Sequence, residues 1–183
     1  MLNEVRKAGL VSLPPRSLEE LRLTPDSASA VERLRAEGFV LLIVTNQPDV
    51  ARGTINREVA IEITDHIVRA LGLDDGYLCL HDRADGCDCR KPEPGMLVTA
   101  ARDWNVTLGT SWLIGDRWVD IAAARAAGVR SILLDRPYSW MSSGGKEPPP
   151  DLQPDIRCST LSECVDELLR VVQSAEQKPL GFA

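Results

Sequence analysis

Residues 39–45, FVLLIVT, are apolar on both faces and β-branched toward their end, the pattern of a strand buried on both sides. Such a strand needs helices above and below it, and the flanking sequence supplies them. Pro25-Asp26, then Ala30, Val31 and Leu34 at helical spacing, then Gly38, predict a helix over 26–37 with Asp26 as its cap. Val59, Ile63, Ile67 and Ala70 predict a second over 55–71, stopped at Gly72 after the loop DVARG. Further strands are expected at 77–80, 111–115 and 131–135, and helices at 94–104 and 118–127, the former with Pro near its start. The segment 142–154, SSGGKEPPPDLQP, reads as a flexible or partly extended connector, DIRCS as an edge strand, and 161–172 as a last amphipathic helix. This alternation implies an α/β fold with a doubly wound, Rossmann-like parallel sheet, whose ligand lies beyond the carboxyl ends of the strands.

The chain has 183 residues, 44% of them hydrophobic, which suits one domain over 1–175 with a flexible tail at 176–183. A net charge of -6 argues against nucleic acid or an anionic membrane as partner. MLNEVRKAGL has no apolar signal core, and the run Phe39 to Val44 is far too short to span a bilayer, so the expectation is a cytoplasmic protein, monomeric and off the membrane. Five cysteines is an odd number for a disulfide framework and favours free thiols or metal ligands. Cys158 and Cys164 read as ordinary buried thiols, and His66 as a surface or packing residue.

Cys79-x-His81 and Cys87-x-Cys89 form two close ligand pairs on either side of Asp82 to Gly86. Zinc takes four N or S donors at about 2.0 to 2.3 Å, and a set with no open position marks a structural site. The alternative is four unligated side chains or a redox pair, although cysteines separated by one residue make strained disulfides.

Three other pieces fall at strand ends: Thr45-Asn46, Arg90-Lys91-Pro92, and Gly115-Asp116-Arg117 with Asp120. A doubly wound sheet brings them to one edge. A hydroxyl with an amide, a cation pair and a carboxylate pair describe a site for a phosphoryl group and a hard divalent cation.

TNQPDVARG, CLHDRADGCDCRKPEPGM and IGDRWVDIAAARAAG, in that order, resemble the haloacid dehalogenase superfamily of phosphatases. Within it they are most similar to the capless, zinc-loop branch that contains heptose 1,7-bisphosphate phosphatases and histidinol-phosphate phosphatase domains. The likeness runs from about Asn3 to Pro137. It implies a magnesium-dependent hydrolase that passes through an aspartyl-phosphate. By position, Thr45 and Asn46 would bind and orient the phosphoryl group, and Lys91 would neutralise it. Asp116 would hold magnesium with Asp120 in support, Arg90 and Arg52 would face the rest of an anionic substrate, and Cys79, His81, Cys87 and Cys89 would be the zinc ligands. The substrate would be a small phosphorylated metabolite, first a heptose bisphosphate and second histidinol phosphate. A non-catalytic protein that binds a phosphorylated ligand or a partner protein is the other reading.

One departure accompanies the resemblance. These enzymes open with a central strand ending in DxDGxxN, which carries the nucleophile and the general acid/base, and here Leu2-Asn3 matches only the end of that segment. Both aspartates would lie ahead of Met1, so the central strand is expected to be absent, with no turnover and marginal stability for the chain as written.

Overall fold

The computed structural model describes residues 1–4, 6–8, 11–143 and 145–176; the tail beyond 176 lies outside the described residues. The chain opens with an antiparallel pair that the sequence did not announce, β1 (Arg6–Ala8) and β2 (Val11–Leu13). Then follow α1 (Ser27–Ala36), β3 (Leu42–Asn46), α2 (Pro48–Ala51), α3 (Arg57–Leu71), β4 (Asp75–Cys79), α4 (Gly95–Asp103), β5 (Trp112–Gly115), α5 (Trp118–Ala127), β6 (Arg130–Leu134), β7 (Ile156–Cys158) and α6 (Leu161–Glu176).

The expected elements are present, with shifts that have local causes. Asp26 stands at the cap position of α1 but makes no side-chain capping bond; Ser27 Oγ instead donates to the Thr24 carbonyl at 2.7 Å. The strand expected from Phe39 begins only at Leu42, because the Leu41 amide donates to Asp74 Oδ2 at 2.7 Å rather than to a ladder. The loop DVARG is in part helical, as α2, with Pro48 at its first turn. The connector 142–154 is more fixed than expected: Leu152 is buried with Trp118, Ile121 and Leu133.

All sheet pairing beyond β2 is parallel. β3 runs beside β4, from Leu42 opposite Asp75 to Asn46 opposite Cys79. β5, β6 and β7 form a second sheet in that order. Among the described residues no ladder joins β3 to β5. Between them lies an apolar cavity of about 430 Å³, lined by Leu42 and Val44 on one side, Leu113 and Ile114 on the other, and Leu97 and Leu168 from the helix layers. Its effect shows in the burial of the strands. Ser131 to Leu134 of β6 are buried, whereas every residue of β3 and Trp112 to Ile114 of β5 remain half-exposed despite their apolar composition.

Candidate active site

β4 delivers Cys79 at its last residue, fully buried. The chain then turns back through a short 3-10 segment, Arg83–Asp85. Asp82 starts it by accepting from the Arg83 amide at 2.7 Å, and Asp85 accepts from the Asp82 amide at 2.7 Å. Gly86, at φ 61, ends it in a left-handed conformation, which brings Cys87 and Cys89 under Cys79 and His81. The sulfurs of Cys79 and Cys87 are 3.7 Å apart, those of Cys87 and Cys89 3.5 Å, and His81 Nδ1 lies 3.7 Å from Cys79 and 3.3 Å from Cys89. Bonds of about 2.3 Å to sulfur and 2.0 Å to nitrogen at the tetrahedral angle give edges of about 3.5 to 3.8 Å. The donor set therefore fits zinc in both chemistry and size. Burial and the neighbouring thiols push Cys89 up to about 12, so it would ionise at neutral pH only with a cation among the donors.

The loop is packed against the site that follows it. Gly95 donates to the Asp88 carbonyl at 2.9 Å, and a β-carbon at Gly95 would stand 2.5 Å from that oxygen. Only glycine lets α4 start this close to the loop, which explains its place in RKPEPGM.

Lys91 is held from two directions. The Asn46 side chain donates to the Lys91 carbonyl at 2.9 Å and accepts from the Lys91 amide at 3.0 Å, so both ends of that amide fix the lysine's backbone. The ammonium reaches Asp120 Oδ1 at 2.7 Å and the Val44 carbonyl at 2.8 Å. Asp120 Oδ2 accepts from the Arg117 amide at 3.0 Å, so both carboxylate oxygens are engaged. Gly115 makes room for this pair: a β-carbon there would lie 2.6 Å from Asp120 Cγ. Thr45, expected beside Asn46, is at the same strand end, with Gln47 Nε2 3.5 Å from its hydroxyl.

Asp116 follows β5 and has two partners on one oxygen, the Tyr138 hydroxyl at 2.8 Å and the Met1 ammonium at 3.3 Å, both to Oδ2. Burial raises its pKa, but the ammonium, Tyr138 and Lys91 outweigh burial and hold the carboxyl below its ordinary range. Tyr138 and Lys91 thus help to keep this carboxylate ionised. This suits a hard divalent ion, for which Asp116 is the carboxylate best placed.

The sequence reading missed the segment after β6. Ser139 Oγ donates to the Asp116 carbonyl at 2.7 Å, and the Ser139 carbonyl accepts from the Trp118 amide at 2.8 Å. Tyr138 and Ser139 therefore belong to the site; the only signal for them was a polar RPYS directly after a strand. Arg90 lines a cleft of about 470 Å³ with Lys91 and donates to the His81 carbonyl at 3.1 Å. Arg52 is turned elsewhere: it grips Asp82 at 2.8 and 3.0 Å and is not among the residues lining that cleft. The structure thus brings together Thr45, Asn46, Lys91, Asp116 and Asp120, sets the Cys and His cluster and Arg90 next to them, and uses Arg52 to brace the loop.

Comparison with known proteins agrees with this geometry. The haloacid dehalogenase-like hydrolase family model matches residues 12–128. D-glycero-beta-D-manno-heptose-1,7-bisphosphate 7-phosphatase of Pasteurella multocida is 30% identical over 141 residues, covering 71% of this chain and 77% of the relative. The enzyme of that name from Pseudomonas aeruginosa is 35% identical over 125 residues, covering 65% and 70%. A crystal structure of D,D-heptose 1,7-bisphosphate phosphatase from B. bronchiseptica, complexed with magnesium and phosphate, superposes with a TM-score of 0.71 at 28% identity and covers 93% of each chain. On the family match over residues 12–128 and the relative at 30% identity, this chain belongs to the haloacid dehalogenase-like hydrolases.

Proposed function

We propose that this chain is the scaffold of a magnesium-dependent phosphatase for a phosphate monoester of a small metabolite, first D-glycero-D-manno-heptose 1,7-bisphosphate, acting in the cytoplasm. The observation that carries the reading is the meeting of Asp116, the Lys91–Asp120 pair and the Thr45-Asn46 strand end at one sheet edge, beside a four-donor Cys and His loop. The named relatives support the choice of substrate.

Asp116 would hold the magnesium, which when bound would supply positive charge against the phosphate. Lys91, pointed by Asn46 and charge-balanced by Asp120, would stabilise the transferring oxygens. Thr45 would supply a hydroxyl to the same group. Cys79, His81, Cys87 and Cys89 would hold a zinc that braces the loop carrying Arg90 and Lys91.

Asp116 and Asp120 are engaged as described, and the slot between β3 and β5 is lined mainly by apolar side chains. A strand seated there with an aspartate at its carboxyl end would set that carboxylate beside Asp116 and Lys91; its attack on phosphorus would break the bond to the substrate oxygen, which would take up a proton and leave as the alcohol, and water would then cleave the aspartyl-phosphate to phosphate and the free carboxylate.

The test is phosphate release from heptose bisphosphate with magnesium, by the chain joined to such a strand, before and after Asp116→Asn. Loss of release in the variant supports the reading; unchanged release places the metal elsewhere. Lys91→Ala should keep magnesium and lose vanadate affinity.

A further inference from the structure

After β6 the apolar run stops at Leu134 and the chain reads Asp135-Arg136-Pro137-Tyr138-Ser139. Proline fixes φ and favours the second position of a tight turn, and a turn forms here. The Ser139 amide donates to the Arg136 carbonyl at 2.9 Å, and the Arg136 amide donates to Ser139 Oγ at 2.9 Å. The start of the turn is pinned as well: the Asp135 amide donates to the Cys158 carbonyl at 2.8 Å, and the Arg136 guanidinium to the Ser159 carbonyl at 2.7 Å.

Ser139, fully buried, ties this turn to the backbone that carries Asp116. Its Oγ donates to the Asp116 carbonyl at 2.7 Å, and its carbonyl accepts from the Trp118 amide at 2.8 Å. Two bonds thus set the backbone of Tyr138 relative to that of Asp116, and the phenol hydroxyl meets Asp116 Oδ2 at 2.8 Å.

A carboxylate can give a cation one oxygen or both. Oδ2 of Asp116 is engaged, with the Tyr138 hydroxyl the shorter of its two contacts, while Oδ1 accepts no hydrogen bond from the described residues. A cation that takes Oδ1 alone keeps the Tyr138 bond. One that takes both oxygens displaces the hydroxyl and leaves a half-buried donor without its charged acceptor. The two common hard cations differ on this point. Magnesium demands a near-octahedral shell and keeps several of its waters, so one oxygen of a carboxylate serves it; calcium takes roughly six to eight oxygens and accepts a carboxylate through one oxygen or both.

We propose that Tyr138 is a positioning residue that holds Asp116 to one-oxygen coordination and so turns the cation site toward magnesium and away from calcium. This rests on the reading above in which Asp116 holds the metal, and adds to it the residue that sets which ion is preferred.

The test is calorimetric titration of magnesium and, separately, of calcium into the full chain, its Tyr138→Phe variant and its Asp116→Asn variant. Tyr138→Phe keeps the ring and removes the hydroxyl. It should raise calcium affinity relative to magnesium by about tenfold, the scale of one charge-assisted hydrogen bond, while Asp116→Asn weakens both ions. The infrared carboxylate bands give a second reading: calcium added to the parent should produce the wide band separation of a one-oxygen ligand, and calcium added to Tyr138→Phe the narrow separation of a two-oxygen ligand. An unchanged ratio in Tyr138→Phe, or an equal loss of both ions, overturns the assignment and leaves the phosphatase reading standing. If Tyr138→Phe fails to fold, the parent decides, since two-oxygen bands with calcium overturn the assignment and one-oxygen bands support it. A parent that binds both ions no better than Asp116→Asn overturns the metal reading and the assignment together.

Discussion

Lys91 and Asp120 meet at 2.7 Å with side chains only 10% and 8% exposed. A buried pair of this kind adds little net stability when complete, yet breaking it strands a charge. Lys91→Ala should therefore destabilise the fold by about 3 to 5 kcal/mol, in addition to its effect on phosphate binding. Lys91→Ala combined with Asp120→Ala should recover much of that loss in urea titrations, because no charge is then left unpaired. Asp82 behaves differently, being on the surface. The Arg52 hydrogen bonds first, and the Arg83 amide second, lower it from 3.8 to about 2. The folded pKa is depressed, so the contribution is present above pH 3.8 and is lost as pH falls toward 2. Compared by acid titration, the parent and Asp82→Asn should differ by a constant amount above that window and converge at its lower end.

At the scale of elements, the site depends on close approaches between a loop and a helix start. Gly115 ends β5 directly under Asp120, and a β-carbon there would stand 2.7 Å from Asp120 Oδ2. Overfilling of this kind costs typically about 1 to 3 kcal/mol, so Gly115→Ala should lower the urea midpoint and also displace the partner of Lys91. The metal loop gives a second test. Purified protein should hold one zinc per chain by elemental analysis; Cys89→Ser should lower that content and loosen 81–91 in hydrogen exchange, while the buried β6 keeps its protection. A zinc content near zero in the parent, with all its thiols titrating freely, would contradict the structural metal.

Much of this level was legible in the sequence. Helices α1, α3 and α6 followed from their apolar spacing, and Cys79, His81, Cys87 and Cys89 were singled out by their paired spacing, since both signals are local. Thr45, Asn46, Lys91 and Asp116 were found as strand-end residues, but the partners of Asn46 were not, because its two bonds to Lys91 span 45 residues of sequence. Arg52 was expected at the substrate, yet Asp82 holds it, a pairing that only the folded loop creates. Tyr138 and Ser139 carried no periodic signal, and Leu152 sat in a stretch whose prolines and glycines masked one buried leucine.

Across the whole molecule, the division between β3 and β5 leaves apolar surface uncovered. Two parallel strand edges face an apolar cavity of about 430 Å³, and β3, which by composition belongs at the centre of a sheet, is half-exposed throughout. Covering these half-exposed apolar side chains with one strand should raise stability, since burial of apolar surface is favourable by roughly 25 cal/mol per Å². The most direct measurement is magnesium-dependent phosphate release from heptose 1,7-bisphosphate by the 183-residue chain, alone and joined at its amino end to an apolar strand closing in Asp-x-Asp-Gly. The proposed reading predicts that the joined strand raises both turnover and the unfolding midpoint, and that Asp116→Asn abolishes the turnover. A joined strand that changes neither, or turnover that survives Asp116→Asn, would contradict it.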